Sequence, residues 1–151
     1  MLMASSISDL LREDQITLDL CDQTQSGALR ELVDMFSINP AVKDLNAFHE
    51  ALLSREKANS TVVGHGVAFP HARTDVVDKI VLAVGRSKEG VKFESSPEPV
   101  HLIFMIGTPK AQISDYLVCI GSLARFVKDK TVCDRLMEAA TPGEFIAVLR
   151  P

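Results

Sequence analysis

The segment GHGVAFPHAR, residues 64–73, places two glycines and one proline ahead of a histidine. Pro70 fixes its own φ angle and pushes Phe69 towards an extended conformation, so His71 stands on a stiff stretch of backbone. An unperturbed imidazole has a pKa of about 6.5 and is therefore largely neutral and nucleophilic near pH 7. Arg73 adds a permanent cation that suits phosphate oxygens. The segment predicts a histidine that accepts a phosphoryl group.

Neighbouring motifs extend this pattern over nearly the whole chain. Residues 52–57 read LLSREK, and Ser60-Thr61 follows before the histidine segment. Together these motifs resemble the signature of the enzyme IIA domains of the bacterial phosphoenolpyruvate-dependent sugar phosphotransferase system. The fructose/mannitol type, which includes the nitrogen-regulatory IIA proteins, is the closer match. The resemblance continues through residues 88–93, 99–104 and 123–125.

Composition and charge narrow the class of protein. The chain has 151 residues, of which 46% are hydrophobic and 24% charged, as expected for one globular domain spanning residues 1–151. A net charge of -4 without a basic run argues against nucleic-acid binding. The sequence has no bilayer-spanning stretch and no signal peptide, and its three cysteines lie outside metal or redox spacings. We therefore predict a cytoplasmic protein with reduced, buried thiols and no direct membrane insertion.

Hydrophobic periodicity predicts a mixture of strands and helices. Thr24 and Asp44 are predicted to cap two helices, and a shorter helix is predicted at residues 5–12. Predicted strands occupy residues 16–20, 62–63, 67–69, 80–86 and 100–106, with a turn at residues 88–90. Three helices are predicted to close the chain, the last opening with a capping box at residues 141–144. In the first of them, the predicted buried stripe is Ile113, Leu117, Ile120, Ala124 and Val127.

This arrangement of elements predicts an α+β fold. Strands near the start and in the middle, with helices between and after them, fit a mixed sheet covered by helices on both faces. The resembling family has such a three-layer α/β/α architecture. Strand order does not follow from the spacing.

Arg55 continues the apolar stripe of the helix predicted to begin near Asp44. Positions 45, 48, 52 and 55 share one face, whereas Glu56 and Lys57 are predicted to turn away from it. A cation on that face is unfavourable unless it is paired with an anion, so Arg55 either snorkels, forms a salt bridge or binds a ligand. The resemblance implies the last role, in which the arginine lies beside the active histidine and steadies the phosphoryl group.

Several further residues are candidates for supporting the phosphate site. Gly64 and Gly66 either direct backbone N–H groups towards phosphoryl oxygens or simply shape the turn. Ser60 and Thr61 either hydrogen-bond the phosphate or the site loop, or serve as a loop cap. Arg73 either pairs with phosphate at the rim of the site or faces water.

Tyr116 departs from the resembling family. Most IIA domains of this type carry a second histidine in a His-Leu-x-x-Leu pattern, where this chain reads YLVCI at residues 116–120. The Tyr116 hydroxyl can hydrogen-bond His71 or a phosphoryl group on it. It cannot titrate near pH 7 as an imidazole does, so the substitution leaves the rate and the occurrence of phosphotransfer open.

The resemblance implies a phosphotransferase with a phosphohistidine intermediate. His71 and Arg55 are the predicted catalytic residues, and a histidine phosphocarrier protein is the predicted donor. The recipient is a IIB domain or a regulatory target. No cofactor or metal is expected, because the ring nitrogen already carries a lone pair. The alternative is a regulatory module of the same fold that binds partners without phosphotransfer, which Tyr116 favours and the pair of His71 and Arg55 opposes.

Overall fold

The computed structural model describes residues 7–150, so residues 5 and 6 of the predicted first helix lie outside the described residues. Short 3-10 turns occupy Ile7–Asp9, Glu13–Gln15 and Met35–Ile38. The strands are β1 (Ile16–Thr17), β2 (Val62–Gly64), β3 (Val67–Ala68), β4 (His71–Arg73), β5 (Val81–Val91) and β6 (Val100–Thr108). The α-helices are α1 (Gln25–Asp34), α2 (Leu45–Ala58), α3 (Ile113–Val127), α4 (Lys130–Glu138) and α5 (Pro142–Val148).

Six strands form one mixed sheet, in which five follow the order β1-β5-β6-β3-β2 and β4 pairs with β6 outside that order. Strand β5 runs parallel to β1 and antiparallel to β6, and β2 pairs antiparallel with β3. Strands β3 and β4 both pair parallel with β6, β3 at residues 102–103 and β4 at residues 106–108. The predicted mixed sheet is confirmed.

Helices cover both faces of this sheet. Alternate residues of β5 and β6 enter two separate apolar clusters, because successive side chains of a strand point to opposite faces. Leu82, Val84 and Phe104 pack with residues of α3, α4 and α5 in one cluster. Ala83 and Met105 pack with residues of α1 and α2 in the other. The predicted three-layer α/β/α architecture is confirmed.

Side-chain caps begin three of the helices at the predicted residues. The oxygens of Thr24, Asp44 and Thr141 accept backbone N–H bonds at 3.1, 3.0 and 3.1 Å respectively. Each satisfies an N–H group that has no partner within its helix. The predicted capping box at residues 141–144 is only half formed, because the Glu144 carboxylate accepts from the N–H of Ala140.

The predicted buried stripe of α3 is wrong in its first half. Ile113 and Leu117 are 47% and 59% exposed, whereas Cys119, Leu123 and Val127 are buried. The helix carries apolar residues on two faces, and periodicity does not distinguish a face that packs on the sheet from one that meets solvent. Core packing therefore does not account for the apolar residues on the exposed face of α3.

The predicted turn at residues 88–90 lies inside β5. Its pairing with β6 shifts register between Arg86 and Val91, so the extra residues form a bulge rather than a chain reversal. Gly90 adopts a φ of 98°, and its N–H donates to the Ser87 hydroxyl at 2.9 Å. A bulge can contain the same glycine and polar residues as a turn, so this composition alone predicted a turn where the strand continues.

The three cysteines are free thiols with different exposure. Cys119 and Cys133 are buried, as predicted, but Cys21 is exposed, so the prediction of three buried thiols is wrong for that residue. Burial raises the pKa of Cys119 to about 12, which keeps this thiol protonated.

Candidate active site

The backbone that carries His71 is held on two sides. The N–H of Phe69 donates to the carbonyl of Thr61 at 3.0 Å, and the carbonyl of Pro70 accepts from Ile106 of β6 at 2.9 Å. Strands β3 and β4, which flank Phe69 and Pro70, are both hydrogen-bonded to β6. These backbone hydrogen bonds restrain the segment in addition to Pro70, and they fix the point from which the His71 ring extends.

Two hydrogen bonds define the tautomer of the His71 ring. Nδ1 lies 2.8 Å from the carbonyl oxygen of Phe69. A carbonyl only accepts, so Nδ1–H donates and Nε2 carries the lone pair. The hydroxyl of Tyr116 lies 2.8 Å from Nε2 and donates to it. The two rings are 5.0 Å apart between centroids. Nε2 is therefore the ring nitrogen whose lone pair faces Tyr116 and is not bonded to hydrogen.

Burial sets the protonation state of both rings. It lowers the pKa of His71, the Phe69 carbonyl opposes this effect, and the nearby Arg55 cation lowers the pKa further. Burial raises the pKa of Tyr116. At pH 7 the imidazole is neutral and the phenol keeps its proton, as the hydrogen bond between them requires.

A cavity of about 670 Å³ opens beside the His71 ring. Its polar lining combines His71 and Tyr116 with three cationic side chains, those of Arg55, Arg73 and Lys110. The remaining lining residues are small or apolar: Ala51, Ser54, Ala72, Ile113 and Leu117. A neutral nucleophile surrounded by cations suits a group that carries negative charge, such as a phosphoryl group.

Arg55 reaches the cavity from the last turn of α2. It is half-buried, and its Nη1 donates to the carbonyl of Asn59 at 2.9 Å, which closes the C-terminus of the helix. Among the side chains that the structure describes, none forms an ion pair with Arg55. The guanidinium retains donors for an anionic ligand, because only part of its five N–H groups is used.

Four of the eight predicted site residues line the cavity: Arg55, His71, Arg73 and Tyr116. The other four belong to the β2–β3 region and are not among the lining residues. Ser60 accepts from the N–H of Val62 at 3.1 Å and from the hydroxyl of Ser95 at 2.8 Å. Gly64 and Gly66 have φ angles of 120° and 72°, which suits a turn that only glycine adopts easily.

Thr61, the fourth of these residues, is turned inward. It is 5% exposed, and both its N–H and its hydroxyl donate to the carboxylate of Glu56, at 2.8 and 2.5 Å. Glu56 is itself only 6% exposed, so the prediction that it turns away from the interior is wrong. The chain that follows α2 folds back over Glu56 and buries it, which helical periodicity does not anticipate.

Lys110 is a lining residue that the sequence reasoning missed. It directly follows Pro109, beyond the end of β6, and pairs with Asp75 at 3.6 Å while remaining largely exposed. Lys110 follows a strongly apolar predicted strand, and that position in the sequence could have placed it at the end of the sheet that carries His71.

The described part of the chain contains no group of three or more metal-binding side chains that could hold an ion. Within residues 7–150, no helix is long and apolar enough to cross a membrane.

A family model described as "Phosphoenolpyruvate-dependent sugar phosphotransferase system, EIIA 2" matches residues 9–151. The chain belongs to this EIIA 2 family. Membership of this family confirms the resemblance found in the motifs.

Relatives of this EIIA 2 chain include sugar-specific proteins. It is 36% identical to the "PTS system fructose-specific EIIA component" of Haloferax volcanii over 89% of this chain and 88% of the relative. It also matches the "PTS system fructose-specific EIIABC component" of Bacillus subtilis at 31% identity, but spans only 23% of that longer protein.

Solved structures share the EIIA 2 fold. The nitrogen regulatory protein IIA-Ntr of Neisseria meningitidis superposes with a TM-score of 0.87 at 29% identity, covering 95% of this chain and 98% of that one. The Escherichia coli enzyme IIA for mannitol, solved in complex with phosphorylated enzyme IIB, gives a TM-score of 0.80 at 24% identity, covering 92% and 96%. The relatives of this fold are thus named both for sugar-specific phosphotransferase systems and for nitrogen regulation.

Proposed function

We propose that His71 is the phosphoryl acceptor of this EIIA 2 protein, a single IIA domain spanning residues 1–151 that works in the cytoplasm. It takes the group from the phosphohistidine of a histidine phosphocarrier protein. It then passes the group to a IIB domain or retains it as a regulatory signal. The observation that carries this proposal is the Nδ1–H bond to Phe69, which leaves the Nε2 lone pair beside a cavity with three cations.

The transfer exchanges one phosphorus–nitrogen bond for another. Nε2 of His71 attacks phosphorus as the bond to the donor imidazole breaks, and the electron pair of that bond returns to the donor ring. The proton stays bonded to Nδ1, which continues to donate it to the Phe69 carbonyl, so no external base is needed. The protein contributes by positioning the ring and by stabilising the charge of the phosphoryl oxygens.

Charge stabilisation is assigned to the cationic lining. Arg55 presents a planar set of donors that matches phosphoryl oxygens, and Arg73 and Lys110 add positive charge at the same cavity. A phosphoryl group on a ring nitrogen is strongly negative at pH 7. Cations that already face this position lower its energy without a large rearrangement.

Tyr116 changes partner in this mechanism. Its hydroxyl donates to Nε2 before transfer, and that lone pair is the one that attacks phosphorus. The hydroxyl therefore releases Nε2 as the phosphoryl group arrives and donates to one of its oxygens instead. Because its pKa is raised by burial, the phenol keeps the proton that this role requires.

The exposed apolar part of α3 is assigned to partner docking. Ile113 and Leu117 line the cavity, are well exposed and lie on the same helix as Tyr116. A small apolar patch suits a transient complex between carrier proteins. The Escherichia coli mannitol protein of this fold is solved with a phosphorylated IIB partner, and we propose a recipient of the same class here.

A second candidate function rests on Tyr116 itself. A tyrosine occupies the place where the resembling family carries a second histidine, and its hydroxyl covers Nε2. This geometry also suits a regulatory module that binds partners through the same surface without accepting phosphoryl groups.

Intact mass measurement separates the two candidates. The protein is incubated with phosphoenolpyruvate, enzyme I and the histidine phosphocarrier protein, beside His71→Ala, Arg55→Ala and the control His65→Asn. His65 is exposed with a φ of 53°, a conformation that asparagine tolerates. We expect one added phosphoryl group that is lost in acid, retained in the control, absent in His71→Ala and slowed in Arg55→Ala.

Failure to label the wild-type protein, with an authentic IIA protein labelled in the same tube, would contradict the proposal and favour the regulatory module. Labelling of His71→Ala would show that another residue accepts the group.

A further inference from the structure

Glu56 is a buried carboxylate that the mechanism above does not use. It follows Arg55 directly on α2, but its side chain is 6% exposed and does not line the cavity. Burying a carboxylate is unfavourable unless hydrogen bonds compensate for the lost water. Both of its oxygens are used, one by the N–H and the other by the hydroxyl of Thr61.

Hydrogen bonds connect this carboxylate to the His71 ring. Glu56 binds Thr61 at 2.8 and 2.5 Å, and the carbonyl of Thr61 accepts the N–H of Phe69 at 3.0 Å. The carbonyl of the same Phe69 accepts Nδ1–H of His71 at 2.8 Å. Phe69, whose carbonyl holds the His71 proton on Nδ1, is therefore anchored by its own N–H through Thr61 to the Glu56 carboxylate.

We propose that Glu56 is a positioning residue, which holds the Thr61–Phe69 backbone pairing so that Phe69 keeps the proton of His71 on Nδ1. Charge-assisted bonds to the carboxylate are stronger than neutral ones, so this anchor tolerates little displacement. A shift of the Phe69 carbonyl would weaken the bond to Nδ1–H and allow the proton to occupy Nε2. A ring in that tautomer has no lone pair facing the cavity.

The charge of Glu56 acts on the ring as well. The carboxylate raises the pKa of His71 and so partly offsets burial, Arg55 and Arg73, which lower it. The other titratable side chains that line the cavity in the described part of the chain are Tyr116 from α3 and Lys110, which follows β6. Removing the Glu56 charge is expected to lower the pKa of His71 further.

Nitrogen NMR of the His71 ring tests this inference on the folded protein without any phosphocarrier. The variants are Glu56→Gln, which removes the charge and one acceptor, and Thr61→Val, which removes the hydroxyl bond and keeps the charge. Glu50→Gln is the matched control, since Glu50 is exposed on the same helix.

In the wild type and in Glu50→Gln, we expect ring shifts of an Nδ1–H tautomer. In Glu56→Gln and Thr61→Val, we expect a mixture of tautomers, and in Glu56→Gln alone a lower pKa for His71. This part of the test holds whether or not His71 accepts phosphate. A second measurement, the rate of phosphorylation, rests on the proposed function. Both variants should accept the phosphoryl group about tenfold more slowly, because a misoriented reacting atom lowers the rate of transfer.

Wild-type ring shifts and titration in a folded Glu56→Gln protein would overturn the proposal. If Glu56→Gln does not fold, Thr61→Val decides: an unchanged tautomer in that variant overturns the proposal equally. A wild-type protein that is never phosphorylated would refute the proposed function and leave the ring measurement as the test of Glu56.

Discussion

The hydroxyl of Tyr116 donates a 2.8 Å hydrogen bond to Nε2 of His71, the atom assigned to attack phosphorus. The same contact therefore covers the lone pair at rest and places a donor where phosphoryl oxygens arrive. A histidine at position 116 would itself titrate near neutral pH, whereas the phenol stays protonated. The activity of this site should consequently depend on one hydroxyl group.

Tyr116→Phe removes that hydroxyl and keeps the ring. We expect single-turnover phosphorylation of His71 to slow by about tenfold to a hundredfold, because a preorganised donor to the transferred group is lost. The melting temperature should change little, since Tyr116 is only half-buried. Rapid-quench mass measurement gives the rate, and an unchanged value would show that the hydroxyl takes no part in transfer.

The pH dependence of His71 follows from its surroundings. Burial first, and then Arg55 and Arg73, lower the pKa, whereas the Phe69 carbonyl and Glu56 raise it; the net direction is downward. The ring should thus titrate below about 6.5, the ordinary value for histidine. Ring-proton NMR of the folded protein measures this midpoint. A value at or above the ordinary one would contradict the prediction.

The same shift has a defined sign for stability. Since the folded pKa of His71 is lowered, the unfolded chain takes up this proton first on acidification. The contribution of His71 to stability is complete above about pH 6.5, the unfolded value, and is lost as the pH falls through the folded pKa. The neutral, phosphoryl-accepting form also persists into mildly acidic solution.

Leu117→Asp tests the docking surface. Leu117 lines the cavity and is 59% exposed, so a charge there should leave the fold intact and weaken association with the phosphocarrier. We expect slower phosphorylation at low carrier concentration that recovers as the carrier is increased. Ile38→Asp is the control, since Ile38 is 57% exposed and is not a lining residue. Equal effects of both variants would exclude a docking role for α3.

Arg86→Met tests a buried cation that stabilises the fold. Arg86 is 4% exposed; its Nε donates to the carbonyl of Leu18 at 3.2 Å, and its Nη1 donates to those of Leu136 and Ala139 at 3.0 and 2.7 Å. These bonds join β5 to the chain after β1 and to the end of α4. Without the Arg86 donor, these carbonyls lose their hydrogen-bond partner. We therefore expect the free energy of unfolding to fall by about 2–3 kcal/mol.

Urea denaturation measures this change, with Arg135→Met as the matched control on the exposed side of α4. The control should unfold close to the wild-type midpoint. Coincident midpoints for both variants would show that Arg86 contributes no more than a surface arginine.

Local chemistry made much of the fold predictable. Thr24 and Asp44 identify helix starts because their side chains satisfy backbone donors within a few residues, and this requires no knowledge of the rest of the chain. The glycines, Pro70 and His71 likewise indicate a stiff, reactive segment. Strand order and the presence of α2 and α3 residues in the cavity beside His71 depend on contacts that are distant in sequence, so spacing could not provide them.

The two main errors have a common physical origin. Glu56 is buried by chain that returns after its helix, and Leu117 is exposed on a helix that is apolar on two faces. In both cases the environment of the side chain is decided by what packs over it rather than by its position in the helical repeat. Periodicity reports only the latter.

Strand β6 binds two separate strands along a single edge, β3 before Pro70 and β4 after it. The His71 segment cannot detach without breaking pairing to the middle of the sheet, so its local opening energy should approach that of global unfolding. In hydrogen exchange, the amide of Ile106, which donates to Pro70, should be among the slowest. The geometry around His71 should therefore stay the same when different partners bind. The exposed residues of α3, which are not part of the sheet, are then the part of the site that can adjust to each partner.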